Sequence, residues 1–467
     1  MENDVSIAVT LVYVALAGSI AELASAIPSS AGVFHWATVT GGPQWGKPLG
    51  FFAGWWNCFA YIFSTVATSA ACAIQLVQMY SLYHEEYEPK QWHVLLAYFG
   101  CSWAVCGFVM FANRALHKTN DIGLFLILAG FVILLIVCTV MPSSSGNGYA
   151  TNRSVWREWQ NDTGYTSNGF VFVMGMLNGA FALAPLDCVS HLAEELDNPM
   201  SMLPKAIFAM VILGFLTTFP YLITLFYAVT DLEAVMGDTT LFPLSSIYRQ
   251  ATGSRAGQMG LSMVLFLPCF WAVEGAYVTA GRTLWTLGRD NATPFSKYIG
   301  ALHPKYQNPY NATLAVCIVN SLIGLTYLGS TTALNAFATS VLLLMITGYL
   351  AVIGAHLWSG RSRVRPGNFW MKGWIGTVVH TVSCLYTLCF TVIFSFPYSM
   401  PVAADTMNYS SLIFGGLTTF ISVLWVWKMK HGYTGFTDGA VLGRETAQEG
   451  AIMVEVSQAS STQKLQE

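Results

Sequence analysis

The chain has 467 residues, of which 54% are hydrophobic and 10% are charged, and its mean hydropathy is +0.52. Soluble domains carry about 25% charged residues, so this composition excludes an ordinary soluble protein. The net charge of −3 provides no basic surface for nucleic acid, and the ten cysteines lie in apolar stretches without metal-site spacing. We expect a membrane protein with no cofactor, no bound metal and no nucleic-acid partner.

Eleven apolar runs recur along residues 1–433, and each is about long enough for a helix to cross the hydrocarbon core. Lipid offers the backbone no hydrogen bonds, so runs of this length without alternation must be helices. We predict an all-α, polytopic membrane domain over residues 1–433 and a disordered cytosolic tail over residues 434–467. The predicted spans are residues 5–27, 48–80, 92–112, 122–141, 169–192, 204–229, 258–284, 309–329, 332–358, 374–396 and 409–427.

Lysine and arginine residues are divided unequally between alternate loops, which predicts the orientation. One set of loops, together with the C-terminal tail, holds sixteen of the 21 Lys and Arg residues, and the other set holds five. The positive-inside rule places the first set in the cytosol, so the C-terminus is inside and, with eleven spans, the N-terminus is outside. The loop of residues 142–168 is then external, and it carries glycosylation sequons at Asn152 and Asn161.

The fifth run contains a helix-breaking pattern. Gly175 and Gly179 precede Pro185, which removes a backbone donor and disfavours helix in the residue before it. We therefore predict a break at residues 179–184. A break at membrane depth is tolerated where it is buried or lines a cavity, and such breaks often build transporter binding sites. A simple proline kink is the alternative, and the pattern leaves both interpretations open.

Ionisable residues follow the predicted break. Asp187 and His191 are four residues apart on one helical face, and Glu194, Glu195 and Asp197 come next. We interpret this cluster as a helix-end and loop-pairing device, because an ionisable group favours a function only when it lies at membrane depth. A metal site would need more ligands, and no HExxH, paired CxxC or Gly-x-Ser-x-Gly pattern supports hydrolysis.

Glu274 lies ten residues before Leu284, where its span is predicted to end on the cytosolic side. A carboxylate at that depth is costly unless it is protonated, paired or facing water, so Glu274 suits a proton-coupling group or a counter-ion for a cationic substrate. A neutral, hydrogen-bonded Glu in a helix interface explains it equally well. The rings of Phe181, Trp271 and Tyr277 offer faces to a cation, although packing explains each ring taken alone.

Five groups of residues, spread over nearly the whole chain, are weak signals singly and specific jointly. They are AELASAIP at 21–28 with SSAG at 29–32 and Trp36; LDCVSHLAEE at 186–195 with NP at 198–199 and PKAI at 204–207; Arg282 with GRD at 288–290 and Pro294; HPK at 303–305 with Pro309 and NA at 311–312; and MNYS at 407–410. In this order they resemble the fungal permeases for amino acids, GABA and choline, within the amino acid, polyamine and organocation superfamily.

The resemblance implies twelve helices, cytosolic termini and a core of two inverted five-helix repeats. Carried over residue by residue, the unwound part of the family's sixth helix, which contacts substrate, falls here on Gly179, Ala180, Phe181, Ala182 and Leu183. The resemblance also places substrate contacts at residues 56–61 and at residues 271–277, which include Trp271 and Tyr277. The family's first helix, which has its own glycine-rich break, has no counterpart upstream of Val5. We expect that helix to be encoded upstream of Met1.

These observations predict an alternating-access secondary transporter for an amino acid or a related amine such as GABA or choline. We expect it in the plasma membrane or an internal membrane, coupled to protons, with Glu274 as the candidate for the coupled proton. Two alternatives stay open. One is a truncated, transport-inactive relative that acts as a sensor or has no function, and the other is a membrane-embedded enzyme.

The orientation is testable by labelling. A cysteine introduced into the loop of residues 142–168 should react with an impermeant maleimide on intact cells, because the charge split places that loop outside. A cysteine introduced beyond residue 434 should react only after permeabilisation. Protection of the loop together with labelling of the tail on intact cells would reverse the orientation.

Overall fold

The computed structural model describes residues 2–84, 86–112, 115–237, 240–404, 406–433 and 435. These residues form helices, turns and loops and include no strand. Eleven of the helices are long and apolar enough to cross a membrane. Each of the eleven predicted spans corresponds to one of them, so the prediction of an all-α, multi-pass membrane protein is confirmed. The predicted disordered tail lies outside the described residues except for Gly435.

We number the membrane helices α1 to α11, and the other helices are short segments in the loops. The membrane helices are α1 Glu2–Ala26, α2 Val33–Ser81, α3 Gln91–Phe111, α4 Leu116–Ser144, α5 Asn168–Leu183, α6 Pro199–Ala228, α7 Arg255–Arg289, α8 Tyr310–Gly324, α9 Thr331–Trp358, α10 Gly373–Ile393 and α11 Ser410–Lys430. Short 3₁₀ helices continue two of these spans, Cys188–Glu195 after α5 and Leu325–Leu328 after α8.

Helix α2 begins at Val33, whereas the sequence predicted a start at residue 48. The chain kinks at Gly42, whose φ of 67° lies in the left-handed region that favours glycine. Pro43 follows the kink directly, at a position where its missing N–H would have no helical partner. Residues 33–41 therefore form a short helical stretch of about two turns that leads into the span.

The centre of the bundle is formed by α2 and α9, which pack along each other, and α7 also packs along α2. Helix α1 packs against α5, α6 and α10. The large side chains of Trp36, Tyr61, Tyr277 and Tyr349 are fully buried in this core. Helices α4, α6 and α11 are the most exposed of the eleven, so they present their apolar side chains to lipid.

A buried carboxylate joins three helices near one end of the bundle. Glu22 of α1 is fully buried, and Nη2 of Arg361, in the loop between α9 and α10, donates to its two oxygens over 2.8 and 2.9 Å. The Nε2 atoms of His356 and His380 lie 3.3 and 3.1 Å from Glu22 Oε1. The N–H of Met371 donates to Oε2 over 2.9 Å. The carboxylate thus ties α9, α10 and their loop to α1.

The same cluster has the donor set of a metal site, since Glu22, His356 and His380 offer ligand atoms within 4.8 Å of one another. Arg361 already balances the charge of the carboxylate, so a divalent cation there would leave two buried positive charges without compensation. We therefore interpret the cluster as a structural clamp.

Removing the charge of Glu22 should destabilise the fold. Glu22→Gln leaves Arg361 buried without its anion, and breaking a buried pair in this way costs about 3 to 5 kcal/mol. We expect a clearly lower midpoint of thermal unfolding in detergent, measured on purified protein. Glu158→Gln is the matched control, because Glu158 pairs with Arg153 on the surface, where the two side chains are 58% and 80% exposed. Equal midpoints for the two variants would contradict the clamp.

Candidate functional site

The span that was predicted to break does so, but later than predicted. Helix α5 continues through Leu183, residues 184–187 are not helical, and a 3₁₀ helix follows from Cys188 to Glu195. The prediction of a break at residues 179–184 was therefore wrong in position. Gly179 is helical and packs against α1, since a Cβ added to it would lie 3.1 Å from Val9. Pro185 alone ends the helix, because it lacks the N–H that would bond to the carbonyl of Phe181.

The break leaves carbonyl groups exposed at the end of α5. The N–H of Ala184 still donates to Ala180 O, over 3.0 Å. The N–H of Asp187, which would bond to Leu183 O in a continuous helix, donates instead to the hydroxyl of Tyr349 over 3.3 Å. Within the described residues, the carbonyl oxygens of Phe181, Ala182 and Leu183 accept no hydrogen bond. They lie at a helix C-terminus, where the partial charge is negative and attracts cations.

A carboxylate lies in the break itself. Asp187 is fully buried, and its Oδ1 accepts from the hydroxyls of Tyr61 and Tyr349 over 2.8 and 2.5 Å. Its Oδ2 accepts from Nδ2 of Asn57 over 2.6 Å and lies 3.6 Å from Nε2 of His191. Asn57 and Tyr61 are one turn apart on α2, and Tyr349 lies on α9. The break is thus held by the two central helices of the bundle.

The charge of Asp187 is not balanced by a permanent cation. Among the described residues, no Lys or Arg side chain contacts its carboxylate, whose hydrogen-bond donors are two hydroxyls and one amide, with His191 3.6 Å away. Glu22, the other fully buried carboxylate of the described residues, is paired with Arg361. A buried anion whose neighbours are neutral donors attracts a positively charged ligand. The break therefore places a buried carboxylate within six residues of three carbonyl oxygens that accept no hydrogen bond among the described residues.

The resemblance placed residues 56–61 and 271–277 in the site, and the structure brings side chains of only the first range to Asp187. Asn57 and Tyr61 reach the break. Trp271 Nε1 donates to the backbone oxygen of Thr119 on α4 over 2.8 Å, and the hydroxyl of Thr119 donates to Glu274 Oε1 over 2.9 Å.

The hydroxyl oxygens of Tyr277 and of Ser102 on α3 lie 2.5 Å apart, and the Tyr277 hydroxyl accepts a hydrogen bond from Nδ2 of Asn320 on α8. The hydrogen bonds of Trp271, Glu274 and Tyr277 thus go to other helices. Helix α7 contacts the residues after the break at a position one to two turns beyond Tyr277, where Nη1 of Arg282 donates to His191 O over 3.3 Å.

The position of Asp187 in the buried centre of the break was not predicted from the sequence. Asp187 was grouped with the acidic residues after the break and interpreted as a helix-end device. For Glu194 and Glu195 that interpretation agrees with the structure, since they contact Arg289 and Arg282 at 3.5 and 2.6 Å. Asp187 differs because it directly follows Pro185 and Leu186, inside the break. The signal available in the sequence was a carboxylate within two residues of the breaking proline.

An all-helical membrane bundle with one helix broken at a buried carboxylate has the architecture of a secondary transporter. Solved structures of the manganese transporter of Eremococcus coleocola share the fold, with a TM-score of 0.58 at 15% identity over 92% of this chain and 87% of that chain.

Sequence comparison identifies the family. The family model described as amino acid permease matches residues 5–418, so the chain belongs to the amino acid permease family. It is 31% identical to the choline transporter of Saccharomyces cerevisiae, over 91% of this chain and 74% of the relative. It is 29% identical to the 7-keto 8-aminopelargonic acid transporter of the same yeast, over 81% and 71% of the two chains. An amino-acid permease of Arabidopsis thaliana is 25% identical, over 89% and 82%. The protein is a multi-pass membrane transporter and not an enzyme.

Proposed function

We propose that the protein is a proton-coupled, alternating-access transporter for a small solute with a cationic amino group, such as an amino acid, GABA or choline. The observation that carries this proposal is the buried carboxylate of Asp187 beside the free carbonyls of α5. We place the transporter in the plasma membrane, with an internal membrane as the alternative.

The chemistry of the break suits an amine. A primary ammonium donates hydrogen bonds, and the carbonyl oxygens of Phe181, Ala182 and Leu183 would replace part of its hydration shell. A quaternary ammonium has no N–H and relies on the charge of Asp187 and on aromatic faces. Tyr61, whose hydroxyl donates to Asp187, carries the aromatic ring that we assign to this contact. Low polarity around the break strengthens the attraction of either cation.

The predicted substrate residues take different parts in this proposal. Phe181, Ala182 and Leu183 contribute backbone oxygens, and Gly179 and Ala180 form the helical turn that precedes them. A larger side chain at Gly179 would press on Val9, so a variant there would test the packing of α5 on α1 rather than the site.

Trp271 and Tyr277 stay predicted substrate contacts, although their hydrogen bonds in this conformation go to Thr119 and Ser102.

Two relatives guide the choice of substrates. The names of the yeast transporters specify choline and an aminopelargonic acid; choline carries a quaternary ammonium and the aminopelargonic acid carries an amino group, so both have a cationic nitrogen. Choline is therefore the first compound to test, with GABA and a zwitterionic amino acid beside it. If a correctly localised protein transports none of a wide panel of amines and amino acids, the result would favour the alternative that the chain is a transport-inactive relative.

Asp187→Asn tests the site, because it keeps the shape and removes the charge. We expect uptake of labelled choline, GABA or amino acid into a yeast strain that lacks its own uptake to fall about 30-fold or more. This corresponds to about 2 kcal/mol, the lower end of the cost of truncating one partner of a buried charge pair. Asp197→Asn is the control, since Asp197 is exposed beyond the 3₁₀ helix, and it should transport normally. Near-normal uptake by a surface-localised Asp187→Asn protein would remove Asp187 from the site.

Glu274→Gln tests the proton-coupling candidate. Glu274 is 6% exposed and bonded to Thr119, so it is either a proton carrier or a neutral link between α7 and α4. For a proton carrier we expect concentrative uptake to be lost while exchange of preloaded substrate survives. Glu233→Gln, at an exposed loop position, is the control. Unchanged concentrative uptake and pH dependence would make Glu274 a structural residue.

A further inference from the structure

His191 is a buried histidine of the break whose two ring nitrogens both have neighbours. It is 2% exposed and belongs to the 3₁₀ helix that follows Asp187. Its Nδ1 lies 2.8 Å from the backbone oxygen of Ser30. Its Nε2 lies 3.6 Å from Asp187 Oδ2 and 3.4 Å from the hydroxyl oxygen of Thr283.

The neighbours of His191 decide where its protons are. A carbonyl oxygen only accepts, so Nδ1 must carry a hydrogen and donate it to Ser30 O. On the other side of the ring, the hydroxyl of Thr283 has a single hydrogen, and we assign it to Thr279 O at 2.8 Å, which is a closer acceptor than Nε2 at 3.4 Å. The hydroxyl then offers only lone pairs to Nε2. The remaining neighbour of Nε2 is the Oδ2 of Asp187.

Neither Thr283 nor an ionised Asp187 therefore donates a hydrogen bond to Nε2. If Asp187 were ionised and His191 neutral, the lone pair of Nε2 would face two acceptor oxygens, which is repulsive. An additional proton removes this conflict, either on Nε2 as an imidazolium beside the carboxylate or on Oδ2 as a carboxylic acid beside the imidazole. Both arrangements give the Asp187–His191 pair one bound proton and no net charge.

The other charged groups near His191 are already paired. Tyr61 of α2 meets the imidazole edge to face, with ring centroids 5.3 Å apart, and is uncharged. Arg282 of α7 pairs with Glu195, and Arg289 pairs with Glu194. The hydroxyl of Ser30 donates to Glu194 Oε1 over 2.5 Å.

These pairs leave Asp187 as the anion that a proton on His191 compensates. Ser30 and the half-exposed Glu194 lie between the buried pair and the end of the bundle that is predicted to face the cytosol.

We propose that the Asp187–His191 pair is a proton-binding site that loses its proton when a cationic amine binds in the break. This deepens the proposed function and rests on it. The proton leaves Nε2 or Oδ2 and is taken up by water, while the hydrogen on Nδ1 stays on Nδ1 and remains donated to Ser30 O. The amine then supplies the positive charge that balances Asp187. Proton and amine therefore compete for one carboxylate, and this site acts in addition to the candidate Glu274.

His191→Asn tests the pair, because the Asn amide can still donate to Ser30 O but cannot take up a proton. In the wild type, we expect the KM for choline to rise severalfold as external pH falls from 7.5 to 5.0, because protons then compete more strongly with choline for the pair. In His191→Asn, we expect the KM to vary less than about twofold over the same range. His431→Asn is the control, since the Nδ1 of the exposed His431 also contacts a backbone oxygen, that of Trp427 at 2.7 Å.

The outcomes separate the two proposals. Wild-type protein that takes up none of the amines overturns the proposed function. Wild-type protein that transports choline, with the same pH dependence of KM in His191→Asn, overturns the proton site alone. If His191→Asn does not reach the membrane, a second measurement tests the proton site. Choline binding to the purified wild type is then measured by calorimetry in two buffers of different ionisation enthalpy. A binding enthalpy that depends on the buffer and reports proton release supports the site, and one that does not depend on the buffer overturns it.

Discussion

A helix that is interrupted inside a bilayer has backbone groups that only the protein can satisfy, since lipid provides no hydrogen bonds. In this protein Pro185 interrupts α5, and the hydrogen bonds at the break come from two distant helices. Tyr349 of α9 accepts the N–H of Asp187 and donates to its carboxylate, and Asn57 of α2 donates to the same side chain. One aspartate therefore links the end of α5 to both α2 and α9. The carbonyls that remain unsatisfied are the groups left for a solute.

Two fully buried carboxylates of the bundle have opposite surroundings, and the contrast explains their roles. Glu22 is bonded to Arg361, so its charge is balanced in every state that keeps the pair intact. Asp187 is bonded to hydroxyl and amide groups, which stabilise a negative charge without cancelling it. A permanent counter-ion suits a clamp between helices. A charge whose partner can be exchanged, a proton in one state and an amine in another, suits a transport site.

The sequence predicted the architecture well because membrane helices are encoded locally. Each of the eleven spans is a long apolar run, and Pro185 correctly indicated that the fifth is broken. The position of the break was predicted too early because Gly175 and Gly179 were read as part of it, whereas they allow close packing of α5 on α1.

The site itself could be predicted only in part. Residues 56–61 were expected to contribute, but Tyr349 is 162 positions from Asp187, and no local pattern links them. Sequence alone also could not tell that Asp187 lies in the core while Glu194 and Glu195, a few residues later, lie at the surface. The depth of a carboxylate in the bundle and the partners of its charge are both properties of the packed helices.

The most direct measurement is a cryo-electron microscopy structure of the purified protein in lipid nanodiscs with saturating choline. The proposed function predicts ligand density in the break of α5, with the quaternary ammonium between the carboxylate of Asp187 and the carbonyl oxygens of Phe181, Ala182 and Leu183. Density at Glu274 or elsewhere in the bundle, with Asp187 still enclosed by Asn57, Tyr61 and Tyr349 as in the structure without ligand, would contradict it.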